Sequence, residues 1–468
     1  MTYQTINPAT GKLLKTYEDI SDAALNEVMD VAQACYVNDW CQRSVAQRAG
    51  IVHEAAARMR QQSDHLAGLL TMEMGKLVAE AKGEVALSAD ILDYYAERAE
   101  AFLKPQLIPD APNATIETLP LGIILGVDPW NFPYYQLARV AGPQLMVGNV
   151  LVVKHAANVP QSALAFARIL DEAGAPKGAY TNIFASIHQV GRLIEDPRVR
   201  GVTVTGSERA GAAVAERAGR ALKKSVMELG GSDPFIVLED APLEPTLANA
   251  IWGRMNNTGQ SCVASKRVIV VGKERGKQFL ERLTAGMASL RAGDPTDPDT
   301  SLGPVSSESA MTGLLGQIQT AKAAGAKAVI GGGRVNRPGF YVEATILTNI
   351  AENNPIYTQE LFGPVISFHV VESEEEAIKV ANATQFGLGG SVFTANLERG
   401  KKLARRIESG MAFVNHPTWT APALPFGGVK NSGYGRELSE LGFGEFVNRK
   451  LIDVSAVGSP PPSVSQAG

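Results

Sequence analysis

A short apolar run in the first half of the chain is the strongest indication of the fold: Gly122-Ile123-Ile124-Leu125-Gly126-Val127. A run of this length without charged residues is typical of a parallel strand that is buried on both faces. A second apolar run follows at residues 150–154, and a helical pattern extends over about residues 161–172. Strands that alternate with helices predict right-handed βαβ units and therefore a parallel sheet.

The same alternation extends outward and then restarts. Residues 22–104 have helical periodicity, and two short alternating runs at residues 106–119 predict an exposed hairpin. A new apolar run at residues 234–238 opens a second alternation that continues to about residue 414, and residues 452–457 are expected to form a final strand. The sequence therefore predicts an α/β fold with two parallel sheets.

Composition restricts the class of protein. The chain has 468 residues, of which 45% are apolar and 20% are charged, and its formal net charge is −4. This balance is typical of a globular protein of two or three domains and argues against a nucleic-acid binder. The N-terminus lacks a signal-peptide pattern, and no apolar stretch approaches the length of a membrane span. Three cysteines suit a reducing compartment, so we expect a cytoplasmic enzyme without a membrane partner.

One cysteine is a candidate nucleophile. Cys262 ends the small, polar loop at residues 257–262, where glycine and threonine leave room for a substrate and backbone N–H groups can stabilise an oxyanion. The alternative is a buried, inert thiol, which is the interpretation that fits Cys35 and Cys41. The six histidines lack the spacing of metal ligands, so we expect no metal site.

Two polar residues follow predicted strands and are candidates for the same site. Glu228 ends a strand-like run and precedes two glycines, so we expect its carboxylate at the crevice where α/β enzymes bind ligands. Asn131 lies between Pro129 and Pro133, in a loop rigid enough to aim an amide at an oxyanion. The alternatives are a solvated loop glutamate and a rigid packing turn.

A further candidate is the start of the helix that follows residues 202–205. Gly206, Ser207 and Gly211 lie where a helix N-terminus and a close backbone approach suit phosphate oxygens. The pattern is not the glycine fingerprint of a dinucleotide-binding turn, and an ordinary capped helix start is the alternative.

Together these segments resemble the aldehyde dehydrogenase superfamily over nearly the whole chain. Seven motifs occur in the order and approximate spacing of that family, at residues 7–11, 129–133, 227–231, 259–262, 360–364, 386–388 and 425–428. Within the superfamily, residues 153–156, 202–212 and 230–235 are most similar to bacterial NAD(P)-dependent succinate-semialdehyde dehydrogenases. One motif would be weak evidence, but seven in order are specific.

The resemblance implies a catalytic mechanism. Cys262 would attack the aldehyde as a thiolate, and the Cys262 backbone N–H and the Asn131 amide would hold the oxyanion. Hydride transfer would leave a thioester, and Glu228 would activate water to hydrolyse it. The presence of Glu228 argues against a relative that passes the acyl group to coenzyme A.

The resemblance also implies which residues bind NAD or NADP. Lys154 would bond the adenine ribose, and Ser207 and Trp130 would reach the pyrophosphate. Glu360 would hold the nicotinamide ribose, beside Phe362. The full implied set is Trp130, Lys154, Ala157, Gly206, Ser207, Gly211, Glu360 and Phe362.

Ala157 is a departure from the family pattern. Three positions after the lysine, the family often has a glutamate that bonds the ribose hydroxyls and repels a 2′-phosphate. Because alanine stands there in this chain, rejection of NADP should be weakened. The cofactor is therefore expected to be NAD or NADP.

The implied substrate is an aldehyde with a distal carboxylate. Arg139 matches an arginine that binds this carboxylate in succinate-semialdehyde dehydrogenases, and Tyr135, Trp419 and Thr420 would complete the substrate site. The alternative for Arg139 is a pairing with a neighbouring domain. Asn256 stands where some members have a second arginine, and the aromatic residues also suit aliphatic or aromatic aldehydes without a distal carboxylate.

The resemblance divides the chain into parts. A cofactor-binding domain would comprise residues 1–102 and 120–231, and a catalytic domain would comprise residues 232–440. An oligomerisation arm would comprise residues 103–119 and 441–457, which implies a homodimer or homotetramer. Residues 458–468 are expected to form a disordered tail.

Overall fold

The computed structural model describes residues 2–459. The predicted disordered tail lies, from residue 460 onward, outside the described residues. The strands are β1 (Tyr3–Asn7), β2 (Lys12–Tyr17), β3 (Gln106–Ile108), β4 (Ala111–Pro120), β5 (Ile123–Val127), β6 (Val150–Lys154), β7 (Tyr180–Asn182), β8 (Val199–Thr205), β9 (Lys224–Glu228), β10 (Asp233–Val237), β11 (Ser265–Val271), β12 (Lys327–Ile330), β13 (Thr345–Thr348), β14 (Val365–Val371), β15 (Phe386–Gly387), β16 (Ser391–Phe393), β17 (Phe413–Val414), β18 (Val429–Lys430), β19 (Gly433–Tyr434) and β20 (Val447–Asp453).

The α-helices alternate with these strands after an N-terminal helical region. They are α1 (Asp22–Asn38), α2 (Val45–Gln61), α3 (Ser63–Met74), α4 (Val78–Phe102), α5 (Pro133–Val147), α6 (Pro160–Glu172), α7 (Ile187–Glu195), α8 (Glu208–Arg220), α9 (Leu243–Met255), α10 (Lys273–Ala288), α11 (Glu308–Ala323), α12 (Glu374–Asn382), α13 (Leu397–Ala404) and α14 (Ser439–Phe443).

A six-stranded sheet contains the apolar runs that predicted the fold. Its strand order is β19-β9-β8-β5-β6-β7, and all neighbours are parallel except β19 and β9. The chain leaves β5 toward β6 on one side and returns to β8 on the other, so the crevice between β5 and β8 is a topological switch point where α/β proteins bind ligands. The loops after these two strands contain Asn131 and Ser207.

The second large sheet has seven strands, in the order β12-β13-β14-β11-β10-β16-β17. All neighbours are parallel except β12 and β13. Apolar residues from both faces of β10 and β11 pack in two separate cores, so the sheet is covered on both sides. The prediction of an α/β fold with two parallel sheets is confirmed.

The third sheet is antiparallel, with the order β20-β4-β3. β20 pairs with β4 from Val447 opposite Pro120 to Asp453 opposite Ala114. The predicted bounds of the final strand were wrong, because the strand occupies residues 447–453 and not residues 452–457. Most of β20 is exposed, so apolar and polar residues do not alternate in a way that marks where the strand begins.

The segment after β17 returns to the first sheet. β19 pairs with β9 through Gly433 and Glu228, and Phe426, Leu438 and Phe446 pack in the core of the first sheet. Loops from both large sheets therefore meet near Glu228. The division into cofactor-binding, catalytic and arm segments at the stated boundaries stays a prediction.

Two further features of residues 2–459 concern metal binding and membranes. Across these residues, no group of three or more histidine, cysteine, aspartate or glutamate side chains is arranged to hold a metal ion. In the same range, no helix is both long enough and apolar enough to cross a membrane.

Candidate active site

The loop before β11 has an unusual backbone conformation. Asn257 and Thr258 both have a φ of 55°, in the left-handed region that residues other than glycine rarely adopt. The Asn257 side-chain nitrogen donates to the carbonyl oxygens of Asn131 at 2.8 Å and of Gln260 at 3.1 Å. Such conformations persist where surrounding contacts enforce them, and they concentrate at functional sites.

Cys262 follows this loop and lines a cavity of about 430 Å³. The residue is partly exposed, which is the access that a nucleophile requires. Burial raises the pKa of its thiol to about 12, and the positive charges of Lys266 and Arg139 act in the opposite direction. The carboxylates of Glu360 and Glu228 raise this pKa further. The structure thus gives Cys262 an open face and two cations that favour the thiolate.

Asn131 lies beside this loop, just before α5. Its side-chain nitrogen donates to the Gln260 carbonyl at 3.1 Å, and its own carbonyl accepts from Lys76 Nζ at 2.9 Å. Asn131 is buried, so these contacts hold the orientation of its amide. The amide is therefore within one hydrogen bond of the loop that carries the candidate nucleophile, a position from which it can serve an oxyanion.

Glu228 ends β9 and is buried. Neither of its carboxylate oxygens has a hydrogen-bond partner within the described part of the chain. Burial raises the pKa of this carboxyl well above its usual value, and the neighbouring Glu437 raises it further, while Arg139 and Arg436 lower it. A buried carboxyl with free oxygens and a raised pKa is suited to proton transfer with water.

Two glycines bring the Glu228 segment against the nucleophile loop. A Cβ atom at Gly231 would collide with the carbonyl oxygen of Cys262, and a Cβ atom at Gly230 would lie 2.6 Å from Glu360 Oε2. Only a residue without a side chain permits so close an approach. The backbone contacts therefore gather Glu228, Cys262 and Glu360 at one place.

The residues implied for the adenosine end of the cofactor lie at the carboxyl ends of β6 and β8. Lys154 ends β6 and is buried, with its ammonium 5.5 Å from the ring centre of Tyr3. Ser207 caps α8 by accepting from the Ala210 N–H at 3.3 Å. A Cβ atom at Gly206 would meet nothing closer than 3.9 Å, so this helix N-terminus has room for a phosphate group.

Gly211 and Ala157 occupy different kinds of position in this region. A Cβ atom at Gly211 would lie 2.5 Å from the Leu229 side chain, so Gly211 allows α8 to pack closely against the first sheet. Ala157 is in the turn after β6, where its carbonyl accepts from the Gln4 N–H at 2.9 Å. Because the side chain of Ala157 is a methyl group, no carboxylate is present at this position.

The residues implied for the nicotinamide end form a cluster beside Cys262. The rings of Trp130 and Phe362 meet edge to face, with ring centres 5.6 Å apart. Glu360 Oε1 accepts from the Gly231 N–H at 3.2 Å and pairs with Lys266 Nζ at 3.0 Å. The Lys266 ammonium is 5.8 Å from the ring centre of Phe362. These contacts bring the three predicted residues together at the edge of the nucleophile loop.

The four residues predicted for substrate binding line the same cavity as Cys262, and they are Arg139, Tyr135, Trp419 and Thr420. The Tyr135 hydroxyl and Thr420 Oγ1 are 2.8 Å apart. Trp419 packs against Trp252, with ring centres 5.6 Å apart, and each of these two residues is 45% exposed. The cavity thus extends from the thiol past a polar wall to an aromatic pair at the surface.

Arg139 is buried and has partners within the protein. Its guanidinium forms an ion pair with Glu437 and donates to Thr205 Oγ1 at 3.0 Å, and it lies 4.9 Å from the Tyr135 ring centre and 4.6 Å from that of Phe426. The alternative interpretation of Arg139 is that it packs on or pairs with a neighbouring domain, and Glu437 is such a partner from a distant part of the chain. The pairing leaves room for a carboxylate role, because a guanidinium has five N–H donors and this one also lines the cavity.

Sequence reasoning missed four buried charged residues at this site: Lys76, Glu84, Lys266 and Glu437. Lys76 and Glu84 form an ion pair that also contacts Asn131, and Glu437 lies close enough to Glu228 to raise its pKa. Only Lys266 had a usable signal, since a charged residue at the start of a buried strand needs a partner. The others occur in helices or loops whose local pattern is ordinary.

Comparisons with known proteins find similar sequences and structures over nearly the whole chain. A succinate-semialdehyde dehydrogenase [NADP(+)] of Deinococcus radiodurans is 47% identical over 99% of this chain and 97% of its own length. The structure of a succinic semialdehyde dehydrogenase from Streptococcus pyogenes in complex with NADP+ has a TM-score of 0.95 and 46% identity, and covers 97% of this chain and 100% of that chain. The structure of Gox0499, solved for insight into cofactor and substrate selection, has a TM-score of 0.96 and 50% identity over the same shares.

The match to a family is equally extensive. The family model described as the aldehyde dehydrogenase family matches residues 1–452. The resemblance predicted from seven sequence motifs is therefore confirmed over almost the whole chain. This chain belongs to the aldehyde dehydrogenase family.

Proposed function

We propose that this enzyme oxidises succinate semialdehyde to succinate with NADP+ or NAD+. The observation that carries the proposal is the cavity of about 430 Å³ that is lined by both Cys262 and Arg139. A thiol can take the aldehyde carbon, and a guanidinium in the same cavity can take a distal carboxylate. The names of the Deinococcus and Streptococcus relatives give the same substrate and include NADP+.

In the proposed reaction the sulfur of Cys262 attacks the carbonyl carbon and forms a thiohemiacetal. The Cys262 backbone N–H and the Asn131 amide stabilise the negative oxygen. A bound nicotinamide would supply the hydride acceptor, and loss of hydride from the thiohemiacetal would leave a thioester on Cys262. Glu228 then takes a proton from water, whose oxygen attacks the thioester carbon, and the thiolate of Cys262 leaves as succinate forms.

The dinucleotide fits the residues that are present. Space is open at Gly206 in front of α8, where backbone N–H groups favour phosphate oxygens. In the proposal Ser207 and Trp130 hold the pyrophosphate, Lys154 the adenine ribose and Glu360 the nicotinamide ribose. Because Ala157 has no carboxylate to repel a 2′-phosphate, we propose that NADP+ is accepted.

A second candidate is the oxidation of aliphatic or aromatic aldehydes without a distal carboxylate. The aromatic pair of Trp252 and Trp419 at the cavity surface favours it, since such rings suit apolar ligands. Both candidates use the same nucleophile and base. They differ only in whether Arg139 recognises the substrate.

We further propose that the enzyme is a cytoplasmic homodimer or homotetramer. Its three cysteines are unpaired, which suits a reducing compartment. The sheet β20-β4-β3 has a seven-residue edge strand and exposed leucines, and such an edge is usually covered by another chain or element.

Steady-state kinetics with three aldehydes separates the two candidates. We expect kcat/KM for succinate semialdehyde to exceed that for hexanal and benzaldehyde by about 100-fold or more, since a site built for a charged group discriminates strongly against substrates that lack it. Each aldehyde is measured with NADP+ and with NAD+. Comparable values for the three aldehydes would favour the second candidate.

Replacing Arg139 by alanine tests the residue that distinguishes the candidates. The Arg139→Ala variant should lose kcat/KM for all three aldehydes, because the charge of Arg139 lowers the pKa of both Cys262 and Glu228. The loss should be largest for succinate semialdehyde, because only that substrate has a carboxylate to bind. The exposed Arg220→Ala variant is the matched control for loss of an arginine. Equal losses for all three aldehydes would show that Arg139 acts through Cys262, Glu228 and Glu437 and not on the substrate.

A further inference from the structure

Lys266 is a buried lysine that none of the proposed catalytic steps uses. Its side chain is 1% exposed, and its ammonium has three partners. Nζ donates to the Ser261 carbonyl at 2.6 Å and to the Cys262 carbonyl at 2.8 Å, and it pairs with Glu360 Oε1 at 3.0 Å. An ammonium has three N–H groups, so its hydrogen-bonding capacity is fully used at this one place.

Two of these partners are the peptide groups on either side of the nucleophile. The Ser261 carbonyl belongs to the same peptide unit as the Cys262 N–H, and the Cys262 carbonyl belongs to the next one. A trans peptide unit is planar, and its C=O and N–H bonds point in opposite directions. A cation bound to the Ser261 oxygen therefore lies on the opposite side of this peptide unit from the Cys262 N–H, which stabilises the oxyanion in the proposed function.

The ammonium fixes the direction in which that N–H points, and its charge also strengthens the N–H as a hydrogen-bond donor. Hydrogen bonds in series polarise one another, more strongly where water is excluded, so a cation on the carbonyl makes the N–H of the same peptide a better donor. Glu360 pairs with the ammonium and so offsets the free-energy cost of burying its charge. Asp233, whose pKa is raised by burial to about 6 although the charge of Lys266 lowers it, is a second acidic neighbour.

We propose that Lys266 is the positioning residue of the oxyanion site. It holds the two peptide planes that flank Cys262, and it polarises the Cys262 N–H that stabilises the negative oxygen. The inference rests on the proposed function, because it assumes that this N–H is an oxyanion donor. Through its ion pair with Glu360, the same ammonium joins the nucleophile loop to the cofactor cluster.

The test uses a ligand that reaches the tetrahedral state without hydride transfer. In the trifluoromethyl ketone analogue of succinate semialdehyde, a CF3 group replaces the aldehyde hydrogen. The Cys262 sulfur bonds to the ketone carbon, the thiol proton passes to solvent, and the negative oxygen stays in the oxyanion site. Fluorine NMR measures the dissociation constant of this adduct without turnover. Trifluoroacetone forms the corresponding adduct without a carboxylate, and its dissociation constant is measured in the same way.

The main variant is Lys266→Met, which keeps a side chain of similar length and removes the charge. We expect this variant to bind both ketones at least tenfold more weakly. Removal of a whole oxyanion donor lowers kcat by about 100- to 1000-fold, and here the donor is only weakened. Lys266→Arg should restore much of the affinity because it keeps the cation. The exposed Lys273→Met variant, which also breaks an ion pair, should bind as the wild type does.

Loss of the lysine also alters the thiol itself, so a second measurement separates the two effects. The charges that face Cys262 are Lys266, Arg139, Glu360 and Glu228. Alkylation of Cys262 by iodoacetamide, followed by mass spectrometry of its peptide, reports the thiol but needs no oxyanion. We expect the loss of ketone affinity to exceed the loss of alkylation rate at least tenfold.

The outcomes are distinguishable. If Lys266→Met binds the ketones as tightly as the wild type, or loses affinity and alkylation equally, the role of Lys266 is overturned while the proposed function stands. If the wild type forms no adduct with either ketone, both proposals fail. Should Lys266→Met not fold, Lys266→Gln, which keeps one neutral donor, is judged by the same criterion and is expected to show a smaller loss.

Discussion

Cys262 and Glu228 face the same electrostatic problem. Burial raises the pKa of the Cys262 thiol to about 12 and raises the pKa of the Glu228 carboxyl, yet each must lose a proton to act. Arg139 lowers both pKa values, and Lys266 lowers that of the thiol. At the scale of single residues, nucleophile and base therefore depend on one shared cation in addition to their own surroundings.

Replacing Glu228 by glutamine tests its assignment as the base of thioester hydrolysis. The Glu228→Gln variant should release a first equivalent of reduced cofactor at nearly the wild-type rate and then turn over about 100-fold more slowly, because general-base catalysis is lost only after acylation. Stopped-flow absorbance at the reduced nicotinamide band records both phases. A slow first phase would assign Glu228 to activation of the thiol.

The pH dependence of hydrolysis should respond to Glu437. Repulsion by Glu437 raises the pKa of Glu228, so the Glu437→Gln variant lowers that pKa, and the unpaired Arg139 lowers it again. Hydrolysis needs the ionised carboxylate, so its rate rises with pH through this pKa, and the rising limb of the variant should lie at lower pH. The control is the exposed Glu440→Gln variant. A limb that stays in place or moves to higher pH would contradict the coupling.

At the scale of elements, the start of α5 is held by a carboxylate from another helix. Glu84 on α4 accepts from the N–H groups of Tyr134 at 2.9 Å and of Tyr135 at 3.3 Å, and it forms a buried ion pair with Lys76. The first N–H groups of a helix have no partner within the helix, so a carboxylate placed there stabilises it. The same cluster contacts the carbonyl of Asn131 through Lys76.

The buried pair makes a stability prediction. The Glu84→Gln variant removes the carboxylate that pairs with the buried ammonium of Lys76 and leaves Glu80, which is not in ion-pair contact, as its acidic neighbour. We therefore expect a loss of about 3–5 kcal/mol in unfolding free energy. Adding Lys76→Met should recover part of the loss, because the unpaired charge is then removed. Denaturant unfolding measures the three variants, with Lys82→Met at the exposed pair with Asp64 as a control expected to change by less than about 1 kcal/mol. A double variant less stable than Glu84→Gln would contradict this account.

At the scale of the whole molecule, the small third sheet has the features of an interface. Leu107 on β3 is 74% exposed and Leu451 on β20 is 61% exposed, and the register places them in adjacent rows on opposite faces of the sheet. We expect the double variant Leu107→Asp, Leu451→Asp to sediment as a smaller species than the wild type, because buried charge opposes association. Leu397→Asp, at a leucine of 56% exposure on α13, is the control. An unchanged mass would contradict the predicted arm.

Local patterns were enough to predict the two parallel sheets and the loops that contain the chemistry. Apolar runs such as residues 122–127 and 150–154 are long enough for strands and too short for helices of the observed length, and their buried positions match that prediction. Cys262, Glu228 and Asn131 could be predicted because each lies at the end of such an element or in an adjoining loop, within three residues of a glycine or proline. The start of β20 was missed, since its exposed faces leave no hydrophobic period.

Local sequence therefore specifies the order and type of most elements, the family, and the residues at the crevice. The pairing of the charges that meet there is known only from the folded chain: Arg139 with Glu437, Lys76 with Glu84, and Lys266 with Glu360. Periodicity reports whether one segment is buried, because burial repeats with the geometry of its own helix or strand. The partner of a buried charge depends on how distant segments cross, and no local pattern records that crossing.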